Sequence, residues 1–396
     1  MPNNRPPRFF IILLLGFLTA ISPFAIDMYL PAFSLIAKDF GTTPARISLS
    51  VASYFIGLSF GQLLYGPLLD RFGRKKPLYI GLTVFVIACV ACMQTHNVES
   101  LIAFRFIQAL GGCVAWVAAM TMVRDFFPVE ESAKIFSTLV LILGLSPLLA
   151  PTIGGYISVW LGWQWVFIFL ALLALVIVVL VGIFLPEPHP ADPSVSLKAG
   201  PMLQTFFSIL KERTFLIYTL AGAFSFSTMF IYVAGSPAVF MEHYKVTPQV
   251  YGGIFALLSV GFIGGNQVNI LLLKKYSSQR IFKSAVLFQV LVSILYFIGV
   301  YYGWLNLYST IAMLFIVLSC LGLTYPNASA IALSPFTKNL GSASALLGFL
   351  QLGIAGGISS FVGMFETQGS LAIAVLLPAT AIISMIILAI GTRRIG

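Results

Sequence analysis

Polar positions in this chain are gathered into short clusters, and the stretches between them are almost continuously apolar. Twelve such stretches reach about 20 residues, the length a helix needs to cross the hydrocarbon core of a bilayer. They fall near 9–31, 47–70, 77–94, 101–124, 135–158, 163–185, 214–236, 250–273, 281–302, 304–327, 340–364 and 369–392. Barrel strands need only about ten residues and alternate strictly between apolar and polar positions. These runs do neither. Helices are then the way to satisfy backbone polar groups in lipid. The pattern predicts an all-α integral membrane protein with twelve transmembrane helices. The narrowest break is between the ninth and tenth runs, where Gly303 alone stands. The first run follows Arg5 and Arg8. It is longer than a signal-peptide core and no small-x-small cleavage site follows, so it is read as a retained first helix.

Composition supports the same class. Of 396 residues, 59% are hydrophobic and 9% are charged, against roughly 25% charged in soluble domains. Too few polar side chains exist to cover a water-exposed surface. The net charge of +10 raises the question of nucleic acid. The placement of the bases answers it. With the N-terminus in the cytoplasm, eighteen of the 22 Lys and Arg fall on cytoplasmic segments and only Lys38, Arg46 and Lys245 on outer ones. Arg105 lies within a span. That asymmetry is the positive-inside signal. It places both termini in the cytoplasm and the bases against anionic lipid rather than nucleic acid. The four cysteines, Cys89, Cys92, Cys113 and Cys320, all lie inside apolar runs. They read as small core residues, with neither a disulfide framework nor a metal site.

One long hydrophilic gap, 186–213, contains PEPHPADPSVSLKAGP. Its Pro, Ser and Asp content suits a flexible cytoplasmic connector. It divides the chain into an N-terminal six-helix bundle (1–185) and a C-terminal one (214–396). Basic residues follow the second run and again the eighth, and glycine clusters recur in the fifth and eleventh. Such a 6+6 duplication is a common build for secondary transporters.

Several motifs then stand out. Between the second and third runs is Gly66-x-x-x-Asp70-Arg71-x-Gly73-Arg74-Lys75-Lys76. The fourth run carries Arg105-x-x-Gln108 followed by Gly111 and Gly112. The fifth carries Gly144-x-x-Pro147-x-x-x-Pro151-x-x-Gly154-Gly155, with Ala150 before the second proline. Further segments are Asp27-Met28-Tyr29-Leu30-Pro31, Arg124-Asp125-x-x-Pro128-x-Glu130-Glu131 and Ser225-Phe226-x-x-Met229-Phe230. Together these resemble the major facilitator superfamily, and within it the bicyclomycin/chloramphenicol-resistance branch of bacterial drug:proton antiporters. The resemblance covers nearly the whole chain. It implies two pseudo-symmetric six-helix bundles, an inner-membrane location, and transport driven by the proton gradient with no cofactor.

The residues themselves set the chemistry. Asp27 lies about 19 residues into the first run, and ionisable groups at such depth are costly and usually functional. Desolvation disfavours its charge, the property a proton carrier needs. The alternative is an outer-end residue capped by water. Arg105 needs an acceptor, and Asp27 is the only acid expected deep in the same half; Arg105 could otherwise reach outward to water. The resemblance ties Arg105 to proton coupling. Gln108 lies one turn on and shares its face.

The C-terminal half has no acid well inside a run. Amides such as Asn266 and Gln351, and aromatics Phe226, Phe230 and Tyr232, would offer hydrogen bonds and ring surface to an amphipathic compound. Ordinary helix packing is the competing reading for each. Gly144, Pro147, Pro151, Gly154 and Gly155 can build a bent, close-packed hinge, or close packing without a coupling role. The resemblance implies that Asp70 meets the start of the eleventh helix, near Asn339, Gly341 and Ser342, as a latch. Gly66, Arg71, Gly73, Arg74 and Lys75 belong to the same motif, with Arg74 orienting Asp70; fixing topology is the simpler role.

Nothing suggests an enzyme: no P-loop, no HExxH and no nucleophile elbow occurs, and His96, His189 and His243 are scattered. The expectation is a monomeric, proton-coupled exporter of small amphipathic compounds. An endogenous metabolite or siderophore is the alternative cargo. A membrane sensor or scaffold would require a larger soluble domain than these loops provide.

Overall fold

Each apolar run folds as a helix, and polar side chains mark where several of them begin. The computed structural model describes residues 8–127, 129–188, 191–192, 199–336, 339–364 and 369–392. Arg5, Pro128, His189, Lys198, Lys338, Glu366, Arg393 and Arg394 lie outside the described residues. So do the side chains of Arg124, Glu130, Glu131 and Lys134.

Helix α1 (Arg8–Asp27) passes through a 3-10 turn, Leu30–Ala32, into α2 (Phe33–Asp39). There follow α3 (Pro44–Phe72), α4 (Lys75–Met93), α5 (Val98–Phe126), α6 (Val129–Trp160) and α7 (Gln164–Phe184). After the connector helix α8 (Ala199–Leu210) come α9 (Arg213–Pro237), ending in a π-helical turn at Ala238–His243, and α10 (Pro248–Leu272). The last four are α11 (Ser278–Tyr301), α12 (Leu307–Leu333), α13 (Leu340–Met364) and α14 (Gly369–Thr392). Among the described residues there is no strand.

Thr43, Asn97, Thr247, Ser277 and Asn306 each accept a backbone N–H three residues on, capping α3, α5, α10, α11 and α12. Such caps are each worth about 1 kcal/mol. Among the described residues, eleven helical segments are long and apolar enough to cross a membrane. Helix α6 occupies the position of the expected fifth span but is not one of the eleven.

Three expected boundaries shift. The first segment does not stop at residue 31 but continues to Asp39, because Pro31 sits in the first turn of a 3-10 helix that needs no N–H from it. Gly303 takes a left-handed φ of +68°, opening a real loop. Asn306 and Ser309 then cap each other reciprocally, so α12 starts at Leu307 rather than 304. The connector is not wholly irregular either. Within α8, Phe206 and Leu210 are one turn apart and pack on the C-terminal core, and the helix contacts α13 and α9.

Helices α1–α7 pack among themselves, notably α3 on α5 and α4 on α5 and α7; α9–α14 do likewise, notably α10 and α11 on α12 and α14 on α9. Two seams join the groups: α3 against α13, and α6 against α10. Along the first, close approaches run from Ala45 and Leu49 beside Gly363, through Ile56 beside Gly356, to Gln62 beside Gly348. Ser59 donates to the Phe349 carbonyl across it at 2.8 Å. Past that point the helices part: Gly66 and Gly341 face open space.

In the second seam, Gly155 abuts Pro248 and Gly252 abuts Thr152. One apolar core accordingly runs from the N-terminal helices into one end of α9, α10 and α13, through Phe230, Tyr251 and Val362. The other ends of the C-terminal helices hold a separate core around Phe215, Phe282 and Leu347. The protein is therefore closed at the end bearing the α2–α3, α6–α7 and α9–α10 connections and parted at the opposite end.

Candidate functional site

Arg105 on α5 is among the largest fully buried side chains of the described residues. Its Nη1 donates to the Ala25 carbonyl at 3.0 Å and to Gln108 Oε1 at 2.6 Å. The guanidinium lies over the ring of Tyr54 at 4.3 Å and of Tyr29 at 4.8 Å. Its Nε and Nη2 have no hydrogen-bond partner; aromatic faces take their place. Gln108, one turn along, passes the contact on to Cys89 Sγ at 2.9 Å. The ion pair expected between Arg105 and Asp27 is absent, and so is the alternative reach to water. The reason is physical: a carbonyl, an amide and two phenol rings already envelop the cation. In the sequence Tyr29 stands out only as part of the Asp27–Pro31 segment, and Tyr54 not at all. Only the general affinity of guanidinium for aromatic faces could have suggested them, because their meeting is tertiary.

Asp27, the last residue of α1, is 6% exposed and has no hydrogen bond or ion pair to another described residue. The water-capped alternative is not what the fold shows. Asp27 lies instead within electrostatic reach of Tyr232 on α9 and Tyr251 on α10. The turn that follows it, Leu30–Ala32, contacts both α9 and α10, which puts Asp27 beside the seam. Its chain neighbour Met28 is fixed by Gly154: any side chain there would fall on the Met28 carbonyl. That is the local job of one glycine in the α6 motif. Gly155 serves the α10 contact described above, Pro147 and Pro151 lie within the helix, and Gly144 is in the same helix.

The C-terminal residues divide into two groups. Phe226 stacks on Tyr325 at 4.3 Å and meets Phe230 edge-on at 5.2 Å. Phe230 in turn meets Phe55 of α3 at 4.2 Å, a ring contact across the seam. Tyr232 stacks on Phe255 at 5.3 Å, and its hydroxyl is buried without a partner. Gln351 is buried and donates to Ser329 at 3.4 Å, while Asn266 donates only to a carbonyl of its own helix. Phe226 and Phe230 are therefore together, Tyr232 is held against α10 by Phe255, and Asn266 stands apart on the face toward α12.

Gln289, Asn269 and Asn327 are among the intramembrane amides that the sequence offers as hydrogen-bonding groups, but it gives no sign that they bond within this half. Ser225 Oγ bonds Gln289 Oε1 at 2.7 Å and Thr324 at 2.9 Å. Gln289 Nε2 donates to Thr228 at 2.8 Å. Asn327 and Asn269 form a second amide pair at 2.6 Å.

At the parted end, Gly73 takes a left-handed φ of +81° and ends α3. Arg74 follows it, nearly buried, with Nη1 on Asp70 at 2.6 Å and Nε on Asp125 at 2.7 Å. Burial works against the Arg74 charge, but the Asp125 and Asp70 carboxylates outweigh it and hold the guanidinium above its ordinary pKa. Glu187 accepts the Arg74 and Lys75 backbone N–H groups at 2.7 and 3.0 Å, capping α4, and Lys75 Nζ donates to the Leu185 carbonyl at 2.7 Å. Arg71 leans on the Phe72 ring at 5.8 Å. Asp70 is thus oriented by Arg74, as expected; among the described residues it makes no hydrogen bond to Asn339, Gly341 or Ser342. The opening of the α3–α13 seam beyond Gln62 separates them.

No group of three metal-binding side chains occurs among the described residues. The four cysteines are free and buried.

The fold and these motifs have known counterparts. A family model described as Major Facilitator Superfamily matches residues 15–360. YdgK of Bacillus subtilis, an uncharacterized MFS-type transporter, is 31% identical over 98% of this chain and 97% of its own length. A bicyclomycin resistance protein homolog of Haemophilus influenzae is 28% identical over 97% and 96%. Among solved structures, a D-xylose-proton symporter superposes with a TM-score of 0.74 at 16% identity, covering 95% of this chain and 97% of that one. The chain therefore belongs to the Major Facilitator Superfamily, with relatives named for drug resistance, and its fold is that of a transporter.

Proposed function

We propose that this protein exports small amphipathic compounds across a bacterial inner membrane in exchange for protons. Two six-helix units, 1–185 and 214–396, would rock about the seams, with twelve spans and both termini in the cytoplasm. Helix α6 would be the twelfth span. The closed end then faces outward and the parted end faces the cytoplasm. Relatives named for bicyclomycin, chloramphenicol and multidrug resistance support the cargo class.

The observation that carries the reading is Asp27. It is a buried carboxyl with no partner in its own half, set against two phenols of the other half. Such a group gains or loses a proton as the seam opens to water or closes, and the change is felt by both units. Arg105 keeps the neighbouring backbone of α1 in place through Ala25 and is not itself the counter-ion. Phe55, Phe226, Phe230 and Tyr325 supply the ring surface for cargo next to that seam. No cofactor enters, since the proton gradient supplies the energy.

The test uses everted membrane vesicles with an acid interior and chloramphenicol or ethidium as cargo. Vesicles with the native chain accumulate cargo, and a protonophore abolishes the accumulation. Asp27→Asn reduces gradient-driven uptake to background while the protein remains inserted and binds cargo. Undiminished uptake by Asp27→Asn overturns the assignment.

A further inference from the structure

The α10–α11 connection carries Lys274, Lys275, Arg280 and Lys283 within ten residues. It stands in the C-terminal half where the Asp70–Lys76 loop stands in the N-terminal half. There the bases are answered by Asp70, Asp125 and Glu187. Here no answer exists: the chain has no Asp or Glu between Glu242 and Glu366. None of the four bases makes a salt bridge to another described residue. The side chain of Arg280 instead rests on the Tyr276 ring at 5.4 Å.

Beside these bases lies a cleft of about 360 Å³. Leu272 and Tyr276 from the end of α10, Arg280, Ser284 and Phe288 from α11, and Leu323 from α12 line it. Arg280, Ser284 and Phe288 follow one another at intervals of four along one helix face. At 1.5 Å per residue the cleft therefore descends about 12 Å from its cationic mouth toward the middle of the helices. Phe288 at its floor is exposed, so the cleft opens sideways, where lipid would lie. Its lining grades from charged through hydroxyl to wholly apolar. That gradient matches a phospholipid with its phosphate at Arg280 and an acyl chain running toward Phe288 and Leu323. It does not suit a soluble anion, which would leave the apolar floor against water.

We propose that this cleft is a binding site for an anionic phospholipid, with Arg280 holding the phosphate, Lys274, Lys275 and Lys283 supplying the surrounding positive field, and one acyl chain in the groove between α10, α11 and α12. Assigning that lipid to the cytoplasmic leaflet rests on the topology proposed above; the site itself does not. Bound there, the lipid bridges three helices of the C-terminal unit at its open end and supplies the negative charge that residues 243–365 lack.

Native mass spectrometry of the full chain in detergent, titrated with phosphatidylglycerol or phosphatidylcholine of identical chains, tests the site. Phosphatidylglycerol is expected to be retained in preference to phosphatidylcholine. Arg280→Gln and Lys283→Gln should each weaken its retention about fivefold, the effect of one base near an anionic headgroup. Ser284→Trp, which fills the cleft without altering charge, should abolish the preferential adduct. Lys38→Gln, an exposed base at the other end of the protein, should leave it unchanged. Melting temperatures of all four variants check folding, and every altered side chain is exposed or half-buried. The proposal is overturned by equal retention of the two lipids, by native-like retention in Arg280→Gln or Ser284→Trp, or by displacement with glycerol 1-phosphate at the lipid's own concentration, which would mark a headgroup site without a chain.

Discussion

Helices α1–α7 and α9–α14 answer the same problem, keeping polar groups in a hydrocarbon setting, in different ways. The N-terminal helices bury ionisable groups: Arg105 in a cage of Tyr29, Tyr54, Gln108 and a carbonyl, and Asp27 at the seam. The C-terminal helices bury neutral groups that satisfy one another, Ser225, Thr228, Gln289 and Thr324 in one knot and Asn269 with Asn327 in another. A satisfied neutral network holds one geometry firmly. A buried ionisable group is a source of change, because its charge responds to water. On the function proposed above, the difference divides labour: the N-terminal helices would titrate and the C-terminal ones would provide a fixed surface against which titration is felt.

Three substitutions probe that contrast. Arg105→Met removes the cation but keeps much of its bulk. It should destabilise the purified protein by roughly 2–5 kcal/mol, the cost of a poorly refilled core site, and gradient-driven uptake should vanish with it. A melting curve and the vesicle assay read the two effects, and a variant that still transports at the native rate would break the contrast. Gln289→Leu, its counterpart in the other half, strands the Thr228 hydroxyl and leaves Ser225 with Thr324 alone. It should cost about 1–3 kcal/mol yet leave the response of uptake to the proton gradient intact. If coupling is lost there as well, the neutral half is not passive. Gly66→Ala should have the smallest effect on stability, a change within about 0.5 kcal/mol either way, because nothing lies within 4 Å of the added methyl. A fall in transport without a fall in stability would locate the need for this glycine in the conformation where the α3–α13 seam closes at this end.

Most of the scaffold was legible. The apolar runs named the helices to within a few residues, since span length is set by the bilayer and not by tertiary contacts. The Arg74–Asp70 contact was also legible, as a pair four residues apart. Asp125, which completes that cluster from 51 residues away, was not. The same limit governs the candidate site. Asp27 and Arg105 stand out as rare charges in apolar sequence, but sequence supplies no direction for a side chain. Pairing them as the only opposite charges at one depth was reasonable electrostatics. It failed because Tyr29 and Tyr54, unremarkable by composition, face Arg105 from the turn after α1 and from α3, and Asp27 sits by the seam, where Tyr232 and Tyr251 some 200 residues on feel its charge. The short tenth-span boundary failed for a local reason, a reciprocal Asn306–Ser309 cap that begins one turn after Gly303.

The pinning of the connector has a consequence for range of movement. Glu187 caps α4, and the Asp192 N–H donates to the Asp70 carbonyl at 3.3 Å, so the start of the connector is moored to the N-terminal unit. Its other end, α8, is docked on α13 and α9. Only the links from Asp192 to Ala199 lie between the two moorings. At roughly 3.6 Å per residue they can span no more than about 25 Å. With both moorings kept, that length is a leash: it caps how wide the parted end can gape, whatever the cargo, and shortening it residue by residue would trim the opening stroke in measured steps.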